Sequence, residues 1–502
     1  MLLYLRRLQN KSCIFREIFE SKNVVNKKIV VDFSSPNIAK QFHVGNLRST
    51  LVGNFFCKIN VLAGNQVASV NYLGDWGTQF GLLASYWSHS ELYEKYHQIE
   101  STASLSIKLR LIQKAYVEAV ARAKQEPEFY NEATSLLKSM ETALISNDSS
   151  AESLKLWTEI RKVSVDYLEE FYKGLGIKFD SWDCESDHVA AASKLVDDLI
   201  AEGKVKQTPD GIWIIRDENV GGYSVLRKSD NTTLYLSREV ACAINRDKIH
   251  EADEYVYVVD RAQARHFQHL KHILGLMNRS DLADKILHLG FGRVIGMSTR
   301  LGKVETTEQI LIDGDRQAEK FIRKSATMKV SDEEIPAVAR ELAETALFIN
   351  DMKRNKNQEY MFYFKDLFKQ KGLFAIQEKY ARITSLIENN QDLILELERA
   401  KNSETDWSRI QIDPEQSIRQ LCQCLYELDA SLYTSFLSSE TSPLLSYMAR
   451  LASRIGTAMH TARVKDEPDK KLALGRLMVF VASRNVLEEG IELLGLKPLN
   501  RL

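Results

Sequence analysis

The sequence predicts an α/β protein in which a parallel-sheet domain with a helical insertion is followed by an all-α bundle. Apolar runs at residues 28–31, 66–72 and 255–260 alternate with helical patterns, which is the spacing of βαβ units in a parallel sheet. Charged helical patterns without an evident strand occupy residues 90–175. From about residue 305 onward the sequence shows only helical periodicity, so we expect a helix bundle there.

The composition is that of an ordinary globular protein. The 502 residues are enough for two or three domains, and the net charge of −1 neither indicates nor excludes a nucleic-acid partner, since a local basic face suffices. The 6 cysteines show no paired metal-site spacing, so we expect reduced thiols. No run of about 18 apolar residues occurs, and no membrane span is expected.

The segment before the first strand, residues 1–27, allows two interpretations. It is basic and contains no acidic residue up to Arg16. This pattern is typical of an organelle-targeting segment. It equally fits a helix that packs on the body of the protein, and the sequence leaves both open.

A small polar turn follows the first strand and leads into a helical pattern at residues 47–59. Free backbone N–H groups and the helix dipole favour an anion at such a junction. His43 can donate a hydrogen bond to a phosphate oxygen without full charge, and Gly45 lets a ligand approach the backbone. The polar or small residues of this turn are Ser34, Ser35, Pro36, Asn37, His43, Gly45 and Asn46.

The second strand, residues 66–72, begins after a Gly64-Asn65 turn and ends in the glycine-rich segment 73–81. Several glycines at a strand end mark a tight loop. In parallel sheets ligands lie at the carboxyl ends of the strands, where the first turn also lies. This edge is therefore the predicted ligand site.

The remaining elements are predicted from shorter patterns. A break is expected at Pro127, and the sheet is expected to resume after residue 186 with two strands joined by a hairpin-like link, residues 211–215 and 223–227. Residues 233–239 lead into a helix, and the segment 287–292 precedes a loop at 296–303. The bundle helices are predicted at residues 337–350, 377–395, 418–438, 442–462 and 471–494.

Residues 32–50 resemble the HIGH motif of class I aminoacyl-tRNA synthetases, and Ser-Ser-Pro-Asn-Ile-Ala-Lys at 34–40 resembles the arginyl-tRNA synthetase family in particular. The loop from Gly296 to Arg300 resembles the KMSKS loop of the same class. The resemblance implies a Rossmann-like catalytic domain at residues 28–365, with 296–303 as a mobile loop, and an anticodon-binding bundle at 366–502. It implies an arginine–tRNA ligase that uses ATP with Mg²⁺, L-arginine and tRNA(Arg).

The resemblance also implies the residues that handle ATP. Two positions depart from the family: Asn46 stands where members have histidine, and Gly296 stands where they have lysine. Lys40 resembles the lysine taken to compensate for that loss. The catalytic residues implied are Lys40, His43, Asn46 and Arg300, and the ATP-binding residues are His43, Gly45, Asn46, Met297, Ser298 and Lys303.

The arginine pocket can also be argued from charge, because a guanidinium needs carboxylates placed to receive its planar fork. Tyr235 and Glu239 are four residues apart and share a helix face, and Asp32 ends the first strand. Members of the family usually have Glu at the position of Asp32 and Asp at the position of Glu239. We hypothesise that the shorter side chain at one position is compensated by the longer side chain at the other. The implied arginine-binding residues are Asp32, Ser35, Pro36, Asn37, Asn46, Glu185, Tyr235, Glu239 and Gln263.

For the bundle, the resemblance is loose and implies tRNA contacts at Tyr380, Arg382, Tyr447 and Arg450. Tyrosines can stack on bases and arginines can bind phosphates, although single surface charges and core tyrosines are as common. We expect a monomer without a metal site of its own, in the mitochondrial matrix, with the cytoplasm as the alternative. Members usually carry a further N-terminal domain, so the chain is a compact variant or an incomplete sequence.

A rival function remains open. The departures at Asn46 and Gly296 would also suit a catalytically weak, synthetase-derived protein that only binds tRNA. An intact arginine pocket argues against that rival, because a pure tRNA binder has no use for one.

Overall fold

The structure is a computed structural model. It describes residues 2–9, 14–22, 24–99, 105–216, 221–295, 306–325, 328, 330–363, 367–368, 374–401, 410–465 and 467–502. The predicted mobile loop, with Gly296, Met297, Ser298, Arg300 and Lys303, lies outside the described residues.

A five-stranded sheet carries the fold. The described strands are β1 (Lys28–Asp32), β2 (Gln66–Leu73), β3 (Ser181–Cys184), β4 (Lys206–Gln207), β5 (Trp213–Arg216), β6 (Tyr223–Arg227), β7 (Glu254–Asp260), β8 (Ile286–Phe291), β9 (Val294–Ile295) and β10 (Tyr360–Met361). The sheet has the order β3-β2-β1-β7-β8, with β1 parallel to β7, β2 to β3 and β7 to β8. The predicted parallel sheet is confirmed.

The strands at residues 213–216 and 223–227 do not rejoin this sheet, so that prediction is wrong. β4, β5 and β6 form a separate antiparallel sheet. The link between Arg216 and Tyr223 is too short for a parallel crossover, which needs roughly a dozen residues.

The other long elements that the structure describes before residue 306 are helices, and α7 begins at the predicted break, Pro127. Proline suits a first helical position because that N–H needs no partner within the helix. Short 3₁₀ turns lie at Glu185–His188 and Arg261–Gln263. The helices are α1 (Leu2–Arg7), α2 (Ile14–Glu20), α3 (Val44–Leu62), α4 (Thr78–Trp87), α5 (Glu91–His97), α6 (Leu105–Gln125), α7 (Pro127–Ile145), α8 (Glu152–Gly174), α9 (Val189–Ala201), α10 (Tyr235–His250), α11 (Ala264–Leu276) and α12 (Ser280–Lys285).

The chain divides into two compact units. The sheet unit comprises residues 27–53 and 67–306, and the helical unit comprises 1–26, 54–66 and 307–502. In the sheet unit, side chains of β1, β2 and β7 pack against α9, α10 and α11, with Val30, Val70 and Tyr255 buried. This core places the carboxyl ends of the strands along one edge.

The helices after residue 306 form the bundle of the helical unit, and they differ in part from the predicted ones. No predicted helix corresponds to α13, and the predicted helices 377–395 and 418–438 are each two helices, broken near Asn389 and Glu427. The short strand β10 corrects the expectation that no strand follows residue 305. These helices are α13 (Thr307–Lys324), α14 (Ile335–Met352), α15 (Ala375–Glu388), α16 (Gln391–Lys401), α17 (Gln416–Tyr426), α18 (Leu428–Ser438), α19 (Ser442–Thr461) and α20 (Lys470–Leu493).

The N-terminal helices α1 and α2 pack against α20, which is one of the two interpretations left open by the sequence. Leu5 and Phe15 are buried there. The Glu489 carboxylate accepts the backbone N–H groups of Ile14 and Phe15 at 3.1 and 2.9 Å, and so caps the first turn of α2. No helix among the described residues combines the length and apolar character that a bilayer span requires.

Candidate active site

The turn after β1 has an unusual backbone. Ser34, Ser35 and Ala39 all have positive φ, at 68°, 41° and 61°. Such left-handed residues other than glycine cost energy and persist only where surrounding contacts hold them, often at functional sites. Here the Ser34 amide donates to the Ser49 hydroxyl at 2.9 Å, and the Ser34 hydroxyl lies 2.6 Å from that of Tyr172. The turn is therefore held in a conformation that its own sequence does not favour.

His43 and Asn46 cap the start of α3 reciprocally. The Asn46 amide donates to His43 Nδ1, and the His43 amide donates to Asn46 Oδ1, each at 3.3 Å. A ring nitrogen that accepts is unprotonated, so the proton of the neutral imidazole lies on Nε2. Burial, and after it the charge of Lys40, lowers the pKa of His43 to about 4. His43 thus offers a neutral N–H donor beside the free amides of a helix N-terminus.

Gly45 lies against the ring of His43. A Cβ at Gly45 would lie 2.9 Å from His43 Cε1 and 3.0 Å from Nδ1, which is closer than side chains pack. The glycine therefore makes room for the imidazole itself, in addition to the approach of a ligand that the sequence suggested.

Lys40 is half-buried in the same turn. Its Nζ lies 5.1 Å from the centre of the Tyr116 ring, which belongs to α6 of the helical insertion. A cation at this distance from a tyrosine face is attracted by the ring. Lys40 also acts on the pKa of His43, which places the two side chains near each other.

Asn37 is positioned by the glycine segment after β2. The Gly74 amide donates to the Pro36 carbonyl, and the Ile38 amide donates to the Gly74 carbonyl, both at 3.1 Å. Asn37 is exposed and Pro36 is buried. A Cβ at Gly74 would lie 2.0 Å from Asn37 Oδ1, so only glycine leaves room for the amide.

Replacing Gly74 by alanine is expected to push the Asn37 amide aside. If Asn37 binds arginine, such a displacement lowers kcat/KM for arginine by up to about 10²-fold. Steady-state pyrophosphate exchange measures this. The control is Gly174→Ala, because a Cβ at Gly174 meets nothing within 4 Å. Equal kinetics in the two variants would contradict the placement of Asn37 in the site.

The predicted arginine pocket comes together around Tyr235. Tyr235 itself is 38 % exposed. Burial, and then the charges of Glu239, Glu185 and Asp32, raise the pKa of Tyr235. These carboxylates come from α10, the 3₁₀ turn at 185–188 and β1, so the fold gathers three separate stretches of sequence at one place.

Most charges in this pocket already have partners. Asp32 Oδ2 lies 2.6 Å from Arg246 Nη1, and the Ser35 hydroxyl donates to Asp32 Oδ1 at 2.5 Å. Glu185 Oε2 accepts from Nε and Nη2 of Arg238 at 3.1 and 2.9 Å. Burial raises the pKa of Glu185 to about 7, with Arg238 acting against it.

Glu239 is the exception. It is 1 % exposed, and in the part of the chain that the structure describes neither of its carboxylate oxygens has a hydrogen-bond partner. Burial raises its pKa to about 8, with Arg246 opposing and Asp32 adding to the rise. The Tyr235 hydroxyl lies near enough to Glu239 to lower its pKa, but the two groups do not have the geometry of a hydrogen bond. A buried carboxylate without a partner indicates a missing cation.

Arginine affinity is therefore expected to rise with pH toward about 8. Below its pKa, Glu239 carries a proton that must leave before it pairs with a guanidinium, so affinity falls by up to about tenfold per pH unit. Calorimetry in buffers of different ionisation enthalpy should detect the released proton at pH 7. The groups that face Glu239 are Tyr235, Cys242 and Arg246 on α10, Asp32 on β1, Tyr72 on β2, Glu185, and Tyr257 on β7.

The control for this pH dependence is Glu239→Gln, which has no proton to release. A pH dependence that survives in this variant would assign the titration to another group.

The remaining predicted residues lie in several places. Gln263 is exposed in the 3₁₀ turn directly after β7, at the same strand edge. The part of the ATP site predicted at Met297, Ser298, Arg300 and Lys303 lies outside the described residues.

Two predicted tRNA contacts are wrong in this structure. Tyr380 and Tyr447 are 1 % and 0 % exposed in the core of the helical unit, so neither ring offers a face to a base. The Tyr380 hydroxyl instead donates to Glu488 at 3.0 Å. Arg382 and Arg450 lie at the surface in ion pairs with Glu378 and Glu427, where they remain available to phosphates.

One cluster in the described part of the chain has metal-ligand chemistry. Asp183, His188 and Cys242 place their donor atoms within 4.8 Å of one another. The same Asp183 carboxylate accepts from His188 and lies 3.2 Å from Arg246 Nε. The guanidinium already compensates the carboxylate charge that a cation would use.

The sequence reasoning missed the arginines of the pocket. Arg238 directly precedes Glu239, and Arg246 follows it by seven residues, which is two helical turns on the same face. That spacing is a usable signal, because a charged residue on the buried face of a helix needs a buried partner.

Comparison with known proteins finds relatives among the tRNA synthetases. The family model of tRNA synthetases class I (R), catalytic domain, matches residues 12–364, and the DALR anticodon binding domain matches residues 376–502. Curated relatives include "Probable arginine--tRNA ligase, mitochondrial" of Bos taurus, 31 % identical over 95 % of this chain and 78 % of that protein. "Probable arginine--tRNA ligase, cytoplasmic" of Schizosaccharomyces pombe is 30 % identical over 95 % of this chain and 77 % of that protein.

Among solved structures, the arginyl-tRNA synthetase from Plasmodium falciparum has the same fold. It has a TM-score of 0.73 and 23 % identity, and the match covers 96 % of this chain and 78 % of that one. The chain belongs to the arginyl-tRNA synthetase family of the class I tRNA synthetases.

Proposed function

We propose that this chain activates L-arginine with ATP to arginyl-adenylate and transfers the arginine to the 3′ end of tRNA(Arg). The observation that carries the proposal is Glu239, a buried carboxylate that has no hydrogen-bond partner among the described residues. It lies near Asp32, at the strand edge from which the His43 turn also departs. A guanidinium site next to an anion site suits the two substrates of arginine activation.

In this mechanism the protein positions two reactants. The guanidinium of arginine pairs with Glu239, with Asp32 alongside, and Tyr235 covers the pocket. Asn37, Glu185 and Gln263 take the amino and carboxylate end. The substrate carboxylate then attacks the α-phosphate of ATP, and pyrophosphate leaves.

The turn after β1 receives the charge that develops in this step. The α-phosphate accepts hydrogen bonds from the Nε2–H of His43, from the side chain of Asn46 and from backbone amides at the start of α3. Lys40 adds a positive charge. Amide and imidazole N–H donors suit phosphate oxygens, whereas Mg²⁺ prefers oxygen ligands, so Mg²⁺ enters with ATP. The loop at 296–303, with Met297, Ser298, Arg300 and Lys303, closes over the pyrophosphate.

Arginine-dependent exchange between ATP and pyrophosphate, with tRNA present, tests this function. We expect exchange that requires arginine and that lysine does not replace. Retained tRNA binding without exchange would instead support the rival, a weak synthetase-derived tRNA-binding protein. Glu239 has no hydrogen-bond partner in the part of the chain that the structure describes, and this favours the enzyme. Binding of tRNA alone would not bring a cation to this buried carboxylate.

We further propose that residues 28–365 act as the catalytic domain and 366–502 as the anticodon-binding domain, with Arg382 and Arg450 on tRNA phosphates. The protein acts as a monomer in the mitochondrial matrix, with the cytoplasm as the alternative. The relatives named as mitochondrial support the matrix, and those named as cytoplasmic support the alternative. Fluorescence microscopy of the tagged full chain distinguishes the two compartments.

A further inference from the structure

Arg246 is a charged residue in the core of the sheet unit. It lies on α10 and is 2 % exposed, and the helix before it is buried at Val240, Ala241 and Ala243. Removing a guanidinium from water costs several kcal/mol unless carboxylates and hydrogen bonds compensate. The contacts of Arg246 should therefore show what the residue is for.

These contacts come from four strands of the parallel sheet. Nη1 lies 2.6 Å from Asp32 of β1, and Nε lies 3.2 Å from Asp183 of β3. The guanidinium carbon lies 5.0 Å from the centre of the Tyr72 ring of β2 and 5.5 Å from that of Tyr257 of β7. Arg246 thus joins strands at the edge where the predicted substrates bind.

The consequence for Asp32 is that both carboxylate oxygens are engaged. Ser35 donates to Oδ1 and Arg246 pairs with Oδ2. Asp32 is therefore oriented before any substrate arrives, and Arg246, which it shares with Asp183, compensates part of its charge. Glu239, the other carboxylate predicted to receive the substrate, has neither kind of partner in the described part of the chain.

We propose that Arg246 is a positioning and specificity residue of the arginine pocket. Its guanidinium holds Asp32 in an ion pair, which leaves Glu239 as the carboxylate that the incoming side chain must match. The inference rests on the proposed arginine pocket.

This arrangement sets the charge of the accepted side chain. Two unpaired carboxylates this close would share a proton, and the pocket would tolerate a neutral side chain. With Arg246 present, Asp32 is held in an ion pair, and Glu239 is the carboxylate left to pair with one guanidinium. A neutral ureido analogue such as citrulline leaves Glu239 unpaired and is rejected.

The test is Arg246→Lys, which keeps the charge but not the planar fork that reaches two carboxylates. We expect KM for arginine and the inhibition constant of agmatine to rise by about tenfold or more, as for loss of a contact between coupled residues. Agmatine reports on the guanidinium end because it lacks the carboxylate. KM for ATP should stay unchanged.

The matched control is Arg227→Lys. Arg227 is also a buried arginine of the sheet unit, but it pairs with Asp197 and Ser193 outside the pocket. Equal effects of the two variants on arginine KM would overturn the proposal. If Arg246→Lys does not fold, Asp183→Asn removes the second anchor of Arg246 and should raise arginine KM in the same direction.

A double-mutant cycle with Asp32→Asn separates the possible failures. If Arg246 acts through Asp32, the double variant should lose no more than the worse single variant. Additive losses would overturn the role of Arg246 while leaving the pocket in place. An unchanged arginine KM in Asp32→Asn would likewise overturn the role of Arg246. An unchanged arginine KM in Glu239→Gln would remove the pocket assignment itself, and absent exchange in the unmodified protein would remove the proposed function.

Discussion

Replacing Glu239 by glutamine is expected to weaken arginine binding by about 2–5 kcal/mol, the usual loss when a buried charge pair loses one member. Glu239 is the pocket carboxylate that lacks a partner in the described part of the chain, so the substrate guanidinium would be its first partner. Asp32→Asn should have a smaller direct effect, because Ser35 and Arg246 already engage that carboxylate. Calorimetric titration with arginine measures both variants.

The control for this experiment is Glu141→Gln. Glu141 is equally buried but accepts hydrogen bonds from Trp76 and from the Thr233 amide, at 3.1 and 2.6 Å. Its loss should affect stability and leave arginine affinity unchanged in the folded protein. Equal weakening of arginine and ATP binding in Glu239→Gln would show damage to the fold and would count against the pocket.

Replacing Lys40 by alanine is expected to lower the rate of arginyl-adenylate formation by about 10²–10³-fold, as for loss of one donor aimed at developing charge. The activation step moves negative charge onto the α-phosphate and the departing pyrophosphate. Gly296 lacks the ammonium group found in the family, so few cations remain for this role. Pre-steady-state adenylate formation measures the loss.

A close control exists in Lys108→Ala. Lys108 is also half-buried, and its Nζ lies 5.3 Å from the ring of Tyr96 in the same helical insertion. Both variants lose a contact between a lysine and a tyrosine ring, but only Lys40 lies in the turn of His43. A normal rate in Lys40→Ala would mean that another cation does this work, with Arg300 and Lys303 as the first to test.

Local patterns in the sequence were sufficient for much of the fold. The apolar run ending at Asp32 predicts β1, and the helical pattern beyond Asn46 predicts α3, because each depends on residues within a few positions. The four-residue spacing of Tyr235 and Glu239 places them on one face of α10 for the same reason. Pro127 begins a helix because proline cannot continue one.

Burial of aromatic residues could not be predicted in this way. Tyr380 and Tyr447 occur in helices with charged neighbours, which suggested a nucleic-acid surface. Both rings are in the core of the helical unit, because the helices around them turn those faces inward. The direction that a helix face takes is decided by the elements packed against it, which the local pattern does not contain.

By itself, the sequence determined the parallel sheet, the helical insertion, the family and most of the residues gathered at the strand edge. Only the tertiary structure decided which of those residues are free to bind. Asp32 is paired with Arg246 across more than two hundred residues of chain, while Glu239, on the same helix as Arg246, has no hydrogen-bond partner within the ranges that the structure describes. Local spacing sets helices and strands through backbone geometry, whereas the pairing of buried charges depends on which side chains the whole fold brings together.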